Sequence, residues 1–153
     1  MIRRAKNSDI PKILDLLEQV CMVHHNIRPD LFKGPATKYT EDELKAIIAN
    51  DQTPVFVYVD EEVKGYAFCI FKQYVNDNIP TDIKTLYIDD LCVDETLRGQ
   101  HIGKDLYEYV LQFAREQGCY NVTLNVWAGN DSAISFYEKR GLKPQKIGME
   151  VIL

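Results

Sequence analysis

Between Asp82 and Trp127 the sequence runs "DIKTLYIDDLCV", then "QHIGKDLYEYVLQFAREQG", then "YNVTLNVW". The outer two runs are β-branched and aromatic; the middle one repeats its apolar residues at helical spacing. Two strands joined through a helix lie parallel in one sheet, with a right-handed connection in nearly all cases. The helix must then cover a face of that sheet, which restricts the chain to α/β architectures. Ile102, Leu106, Tyr109, Val110, Phe113 and Ala114 form the helix's apolar stripe, and Gly118 is placed to stop it.

The residues before this unit predict a different pairing. "TPVFVYVDEEVKGYAFCIFKQYV" reads as two strands around Asp60, Glu61 and Glu62, an antiparallel hairpin. "MIRRA" is a short edge-like strand. Asn7, Ser8 and Asp9 precede Pro11 as capping residues for a helix carrying Ile10, Ile13, Leu14, Leu17, Val20 and Cys21 on one side. "HHNIRPDLFKGPATKY" breaks that period and reads as a loop. Thr40 and Glu43 form a capping box for "TEDELKAIIAN". "NDSAISFYEKRG" is a short helix capped by Asn130 or Asp131 and ended by Gly141, and "LKPQKIGMEVIL" predicts one or two closing strands. The order β, α, α, β, β, β, α, β, α, β gives a mixed sheet with helices on its faces, and 153 residues suffice for a single domain over 1–153.

Composition removes some functions. A formal charge of −5 and a pI near 5.2 argue against nucleic acid as partner, since phosphate neutralisation needs a basic face. They are compatible with a cationic substrate. Cys21, Cys69, Cys92 and Cys119 lack metal-ligand spacing, so no metal is expected. Cys69 and Cys92 fall in apolar runs, where thiols serve as small hydrophobes. Met1-Ile2-Arg3-Arg4 opens onto a polar segment, not a signal sequence, and no apolar run approaches a membrane span. The expectation is a soluble cytoplasmic protein with no membrane partner.

Two places carry chemistry. At the strand–helix junction stand Arg98, Gly99 and Gly103. The first turn of a helix has unpaired N–H groups and a partial positive charge, a ready anion site. Glycines there also suit a plain turn, and neither G-x-x-x-x-G-K-[ST] nor G-x-G-x-x-G is present. Within "YIDDLCV", Asp89 and Asp90 interrupt an apolar strand. Strand neighbours point to opposite faces, so Asp89 would share a face with Tyr87, Leu91 and Val93, and Asp90 with Ile88 and Cys92. Either both acids lie at an exposed strand end, or one of them handles a proton or a cation.

Arg98-Gly99-Gln100-His101-Ile102-Gly103-Lys104 resembles the acyl-CoA-binding signature of the GNAT superfamily of N-acyltransferases. Asn130-Asp131-Ser132-Ala133-Ile134-Ser135-Phe136-Tyr137-Glu138-Lys139-Arg140-Gly141-Leu142 resembles its second signature, N-x-x-A-x-x-F-Y-x-x-x-G-F. The resemblance extends over essentially the whole chain and is strongest from Leu86 to Leu142. It implies a mixed, mostly antiparallel sheet splayed at its centre, with helices on both faces. It implies an N-acetyltransferase that moves the acetyl group of acetyl-CoA to a primary amine of a small molecule or peptide by direct transfer, and it allows a homodimer. A non-catalytic acyl-CoA-binding module on the same fold is the alternative.

The resemblance also assigns residues. Leu91, Cys92 and Val93 would pair their backbone with the pantetheine arm, residues 98–104 would hold the pyrophosphate, and Asn125, Asn130, Ser132, Ala133 and Tyr137 would complete the cofactor site. Tyr137 would protonate the departing thiolate. Ile-Asp-Asp-Leu is similar to the acidic pair of polyamine acetyltransferases, with Asp89 as base and Asp90 as amine anchor. His101 stands where the family usually has glycine; its N–H can still serve a phosphate if its φ is negative. His25, with His24, Asp30, Phe32 and Tyr39, lies in the segment that resembles the family's substrate side; as surface residues they need no such role. Asn130 also suits a helix cap, and Trp127 suits packing or a cofactor-edge contact.

Overall fold

The hairpin around Glu61 is the centre of the molecule. The computed structural model describes residues 1–97 and 99–153 and contains five strands and four α-helices among them. The strands are β1 (Ile2–Arg4), β2 (Val55–Asp60), β3 (Glu62–Gln73), β4 (Lys84–Val93) and β5 (Asn121–Leu124). The helices are α1 (Ile10–Ile27), α2 (Glu41–Ala49), α3 (Ile102–Glu116) and α4 (Asp131–Lys139). The sheet order is β1-β2-β3-β4-β5; β4 and β5 are parallel and every other pair is antiparallel. The α3 crossover thus produces the parallel pair that the sequence demands.

Each face of the sheet has its own core. On one face Ile10, Ile13, Leu16 and Leu17 of α1 and Leu44 of α2 pack on Val55, Val57, Tyr66, Phe68 and Cys92. On the other, Ile102, Leu106, Tyr107, Val110 and Ala114 of α3 pack on Phe56, Ala67, Cys69, Leu86 and Ile88. Tyr107 takes the buried place expected for Tyr109, because it turns towards the rings of Phe136 and Tyr137 in α4. Tyr109 lies at the rim against Phe56, 37% exposed.

Three boundaries differ from expectation. α1 continues through His24 and His25 to Ile27 and stops at Arg28, the residue before Pro29, where the proline ring disfavours helical backbone. β5 ends at Leu124 and does not reach Trp127. Residues 142–153, expected as one or two strands, have no strand partner among the described residues, and all of 143–153 are exposed. No helix among the described residues is long and apolar enough to cross a membrane.

The turn leaving β4 is fixed by Asp94. Its Oδ2 accepts from Lys12 Nζ of α1 at 3.0 Å, and its Oδ1 accepts from Thr96 N at 3.1 Å and Thr96 Oγ1 at 2.9 Å. These donors hold the carboxyl well below the usual carboxylate range. Its side chain is 10% exposed, so an Asp94→Ala variant gives up three hydrogen bonds to a buried carboxylate, one of them from the charged Lys12, at about 1–3 kcal/mol. The melting temperature should fall by roughly 3–8 °C at neutral pH. Because the folded pKa is depressed, the difference from wild type should shrink as the pH falls below about 4. Calorimetry across that range checks both.

Candidate active site

β4 carries an extra residue where the two acids stand. Phe68 pairs with Asp90 and Cys69 with Ile88, so Asp89 has no register partner on β3. Such a bulge resets the alternation of side chains along the strand. Leu86 and Ile88 face α3, as do Leu91 and Val93, while Cys92 joins the α1 core. Asp89 and Asp90 both turn to the α1 and α2 side. This corrects the expectation that adjacent strand acids take opposite faces: the bulge removes the premise.

Each acid has its own tyrosine. Tyr39 Oη donates to Asp89 Oδ2 at 2.6 Å, and Tyr66 Oη donates to Asp90 Oδ2 at 2.8 Å. Both tyrosine rings pack on Phe68, at centroid distances of 5.6 and 4.9 Å. Lys38 Nζ reaches Asp89 Oδ1 at 2.9 Å. Burial pushes Asp90 up to about 6, although the Tyr66 hydrogen bond and the Lys38 charge oppose it. Lys38 and Tyr66 were not singled out by the sequence. Both are distant from the acids along the chain, and only the packed fold brings them there.

The bulge also marks where the sheet opens. Pairing of β4 with β5 ends at Ile88 and Leu124. Asp94 N bonds Lys64 O on β3 at 2.9 Å, so the antiparallel alternation commits Cys92 and Asp90 to β3 as well. The N–H and C=O groups of Leu91 and Val93 therefore point into the opening. Of the three residues expected to offer backbone, Cys92 uses its own within the sheet.

α3 starts beside this opening. Asp105 N closes the first helical bond, to His101 O at 3.0 Å, and no side chain caps the helix. The N–H groups of Ile102, Gly103 and Lys104 thus have no helical acceptor. Gly99, φ 92°, faces open space, and Gln100 and Lys104 are exposed. A Cβ on Gly103 would lie 3.5 Å from Val93 and 3.6 Å from Phe136, ordinary contact distances, so the packing of α3 against α4 alone does not demand a glycine here. Arg98 lies outside the described residues. His101 has φ 62°, in the left-handed region, so the condition set for its N–H is not met.

α4 brings the second motif to the same end. Asn130 caps it, accepting from Ala133 N at 3.3 Å, with Ser132 Oγ 3.5 Å away. Tyr137 is largely enclosed between Phe136 and Tyr107. Burial, and then the charge of Asp90, push its phenol well above the usual range, so it stays protonated at neutral pH. Asn125 Nδ2 donates to Tyr87 Oη at 3.3 Å. His25 is tied back to its own loop, Nδ1 lying 2.7 Å from Phe32 O. His24 stacks on Phe32, which meets Trp127 edge-on at 5.2 Å, so the loop after α1 closes over the residues following β5. Burial, then the Lys38 charge, lower the His24 pKa. Among the described residues, no group of three or more His, Cys, Asp or Glu could hold a metal ion.

The Acetyltransferase (GNAT) family profile matches residues 21–142, well over half of the chain. The chain belongs to the GNAT acetyltransferase family. It is 32% identical over 123 residues to a protein of Lactobacillus delbrueckii subsp. lactis named as an uncharacterized N-acetyltransferase, covering 76% of this chain and 67% of that one. It is 26% identical over 152 residues to thialysine N-epsilon-acetyltransferase of Bos taurus, covering 92% of this chain and 82% of that one. The crystal structure of a mutant Bacillus halodurans protein superposes with a TM-score of 0.95 at 31% identity, over 100% of this chain and 99% of that one. Within this GNAT fold the β4–β5 opening, the α3 N-terminus and Tyr137 converge.

The left-handed His101 carries a testable cost. A non-glycine residue held there is strained by on the order of 1 kcal/mol. His101→Gly should therefore stabilise the protein by up to about 1 kcal/mol, after the added freedom of the unfolded chain is counted. Urea unfolding measures this; a less stable variant would show that the imidazole makes contacts that outweigh the strain.

Proposed function

We propose that the protein moves the acetyl group of acetyl-CoA directly to a primary amine of a small molecule or peptide, with both substrates bound together. The observation that carries this reading is the pair of carboxylates on one face of β4, at the point where it parts from β5, with Asp90 within the electrostatic reach of a protonated Tyr137. The relative named for thialysine N-epsilon acetylation supports an aliphatic amine as acceptor.

Acetyl-CoA supplies an acyl carbon activated as a thioester. The residues present fit it. The uncapped α3 N-terminus, beside the open space at Gly99, suits the pyrophosphate. The Leu91 and Val93 edge groups suit an amide-bearing arm laid along β4, and an N–H there can polarise the acyl carbonyl.

The geometry favours a division of labour between the acids opposite to the one the resemblance implies. Asp89 already holds an ammonium, that of Lys38, and so suits anchoring a cationic amine. Asp90 is raised to about 6 and its charge is felt at Tyr137, which suits accepting the amine's proton next to the reacting centre. Tyr137, protonated at neutral pH, donates to the departing thiolate.

Two kinetic experiments follow. The wild-type kcat/KM should climb with pH through about 6 and level off above, because the ionised form of Asp90 is the base. Asp90→Asn should lower the plateau and remove that inflection while leaving the acetyl-CoA Kd near wild type. An inflection that persists in Asp90→Asn and vanishes in Asp89→Asn would return the role of base to Asp89. Tyr137→Phe should lower kcat about 10²–10³-fold with little change in cofactor Kd; an unchanged kcat would make Tyr137 a packing residue. Acetyl-CoA binding without turnover on lysine, thialysine, spermidine or peptide amines would favour the non-catalytic acyl-CoA-binding module.

A further inference from the structure

A primary amine of the chain itself already stands at the acids. Lys38 Nζ lies 2.9 Å from Asp89 Oδ1, while Tyr39 donates to the other oxygen of the same carboxylate. The ammonium also lies 5.6 Å from the centroid of the Tyr39 ring. Its charge is felt at Asp90 on β4 and at His24 on α1. Lys12, Lys45, Lys64 and Lys104 form their ion pairs elsewhere, with Asp94, Glu41, Glu62 and Glu108. Among the described residues, only Lys38 is within ion-pair distance of either acid of the β4 bulge.

As a structural brace this contact is weak. The Lys38 side chain is 45% exposed, and its backbone belongs to neither helix nor strand. An ion pair so open to water adds little stability, and a flexible four-carbon stem lets the ammonium swing. Asp89 keeps its Tyr39 hydrogen bond when Lys38 leaves. Leu91, whose N–H points into the β4–β5 opening, is two residues further along the strand, a separation of roughly 6–7 Å. A lysine amine thus rests beside a carboxylate suited to anchoring an amine, within a side chain's swing of the place suited to the acyl carbonyl.

We propose that Lys38 is an acetyl acceptor within its own chain: with an acyl-CoA thioester bound and no amine substrate present, the acetyl group passes to Lys38 Nζ. This rests on the acetyl transfer proposed above and uses the same groups. One proton of the Lys38 ammonium passes to Asp90 and on to solvent. The nitrogen lone pair forms the C–N bond to the acyl carbon, and the C–S bond breaks. The thiolate takes the proton of Tyr137, which is replaced by the second proton leaving the nitrogen. The products are N-acetyl-Lys38, the free thiol and one proton. The amide carries no charge, so Asp89 is left with Tyr39 alone and is open to the ammonium of a separate acceptor.

The full chain incubated with acetyl-CoA alone, then digested and mapped by mass spectrometry, should carry one acetyl group, on Lys38. Its rate of appearance should not change on dilution of the protein. Asp90→Asn and Tyr137→Phe should each slow the labelling about 10²-fold, with circular dichroism checking the fold. Lys38→Arg keeps a cation at Asp89 but offers no amine, and its intact mass should stay unchanged. Label spread evenly over exposed lysines such as Lys33 and Lys45, or undiminished in both the Asp90 and Tyr137 variants, is plain chemical acylation and would overturn the proposal. A rate that rises with protein concentration would overturn it in favour of transfer between copies. Turnover of thialysine or spermidine with Lys38 unlabelled would overturn this inference and leave the acetyltransferase reading standing; neither turnover nor label would overturn both.

Discussion

The residue that β4 inserts at Asp89 has no register partner on β3, and the arrangement of the functional end depends on it. An uninterrupted strand would have sent Asp89 and Asp90 to opposite faces, one under α1 and the other under α3. With the insertion, both carboxylates arrive on one face and Leu91 and Val93 still reach the α3 core. The parallel ladder with β5 ends one residue earlier, at Ile88. A single local irregularity thus sets the position of the acids and the place where the sheet opens, in keeping with the tendency of bulges to re-aim side chains beside functional clefts.

Around that bulge three separate stretches of chain meet. Tyr66 comes from β3, Tyr39 and Lys38 from the loop before α2, and Phe68 lies between the two tyrosine rings. The two phenols give the acids defined orientations, and Phe68 holds the phenols. The loop after α1 is itself closed onto Trp127 through Phe32. The acid-lined floor is therefore built by long-range packing, while α4, which carries the second motif, is started by the local cap of Asn130 on Ala133 N, and α3 starts with no side-chain cap.

That difference explains what could be read in advance. The strand–helix–strand unit, the hairpin, the capping box at Thr40 and the junction before α3 are encoded within a few residues each, and the structure has them in that order, with β5 ending early at Leu124. The bulge is not local. "YIDDLCV" reads as a regular strand, and only its pairing with "GYAFCI" shows that one residue is surplus. The positions of Tyr66 and Lys38 beside the acids depend on the same pairing. His25 drew attention as a candidate contact for the acceptor; its Nδ1 lies 2.7 Å from Phe32 O of its own loop, a partner that the sequence did not announce. The closing segment has a clear strand pattern and no sheet to join within the chain, since periodicity specifies a face but not the edge that will accept it.

The burial of Asp90 has an energetic side. Below about pH 4 its carboxyl is neutral whether the chain is folded or unfolded, and it neither adds nor removes stability. Between there and about 6 the unfolded chain releases the proton and the folded one keeps it, so folding becomes progressively less favourable as the pH rises. Above about 6 the folded protein carries the full penalty, on the order of 2–3 kcal/mol for a displacement of about two units. At neutral pH this one group therefore opposes the fold that holds it, and the two apolar cores on either side of the sheet must supply the difference.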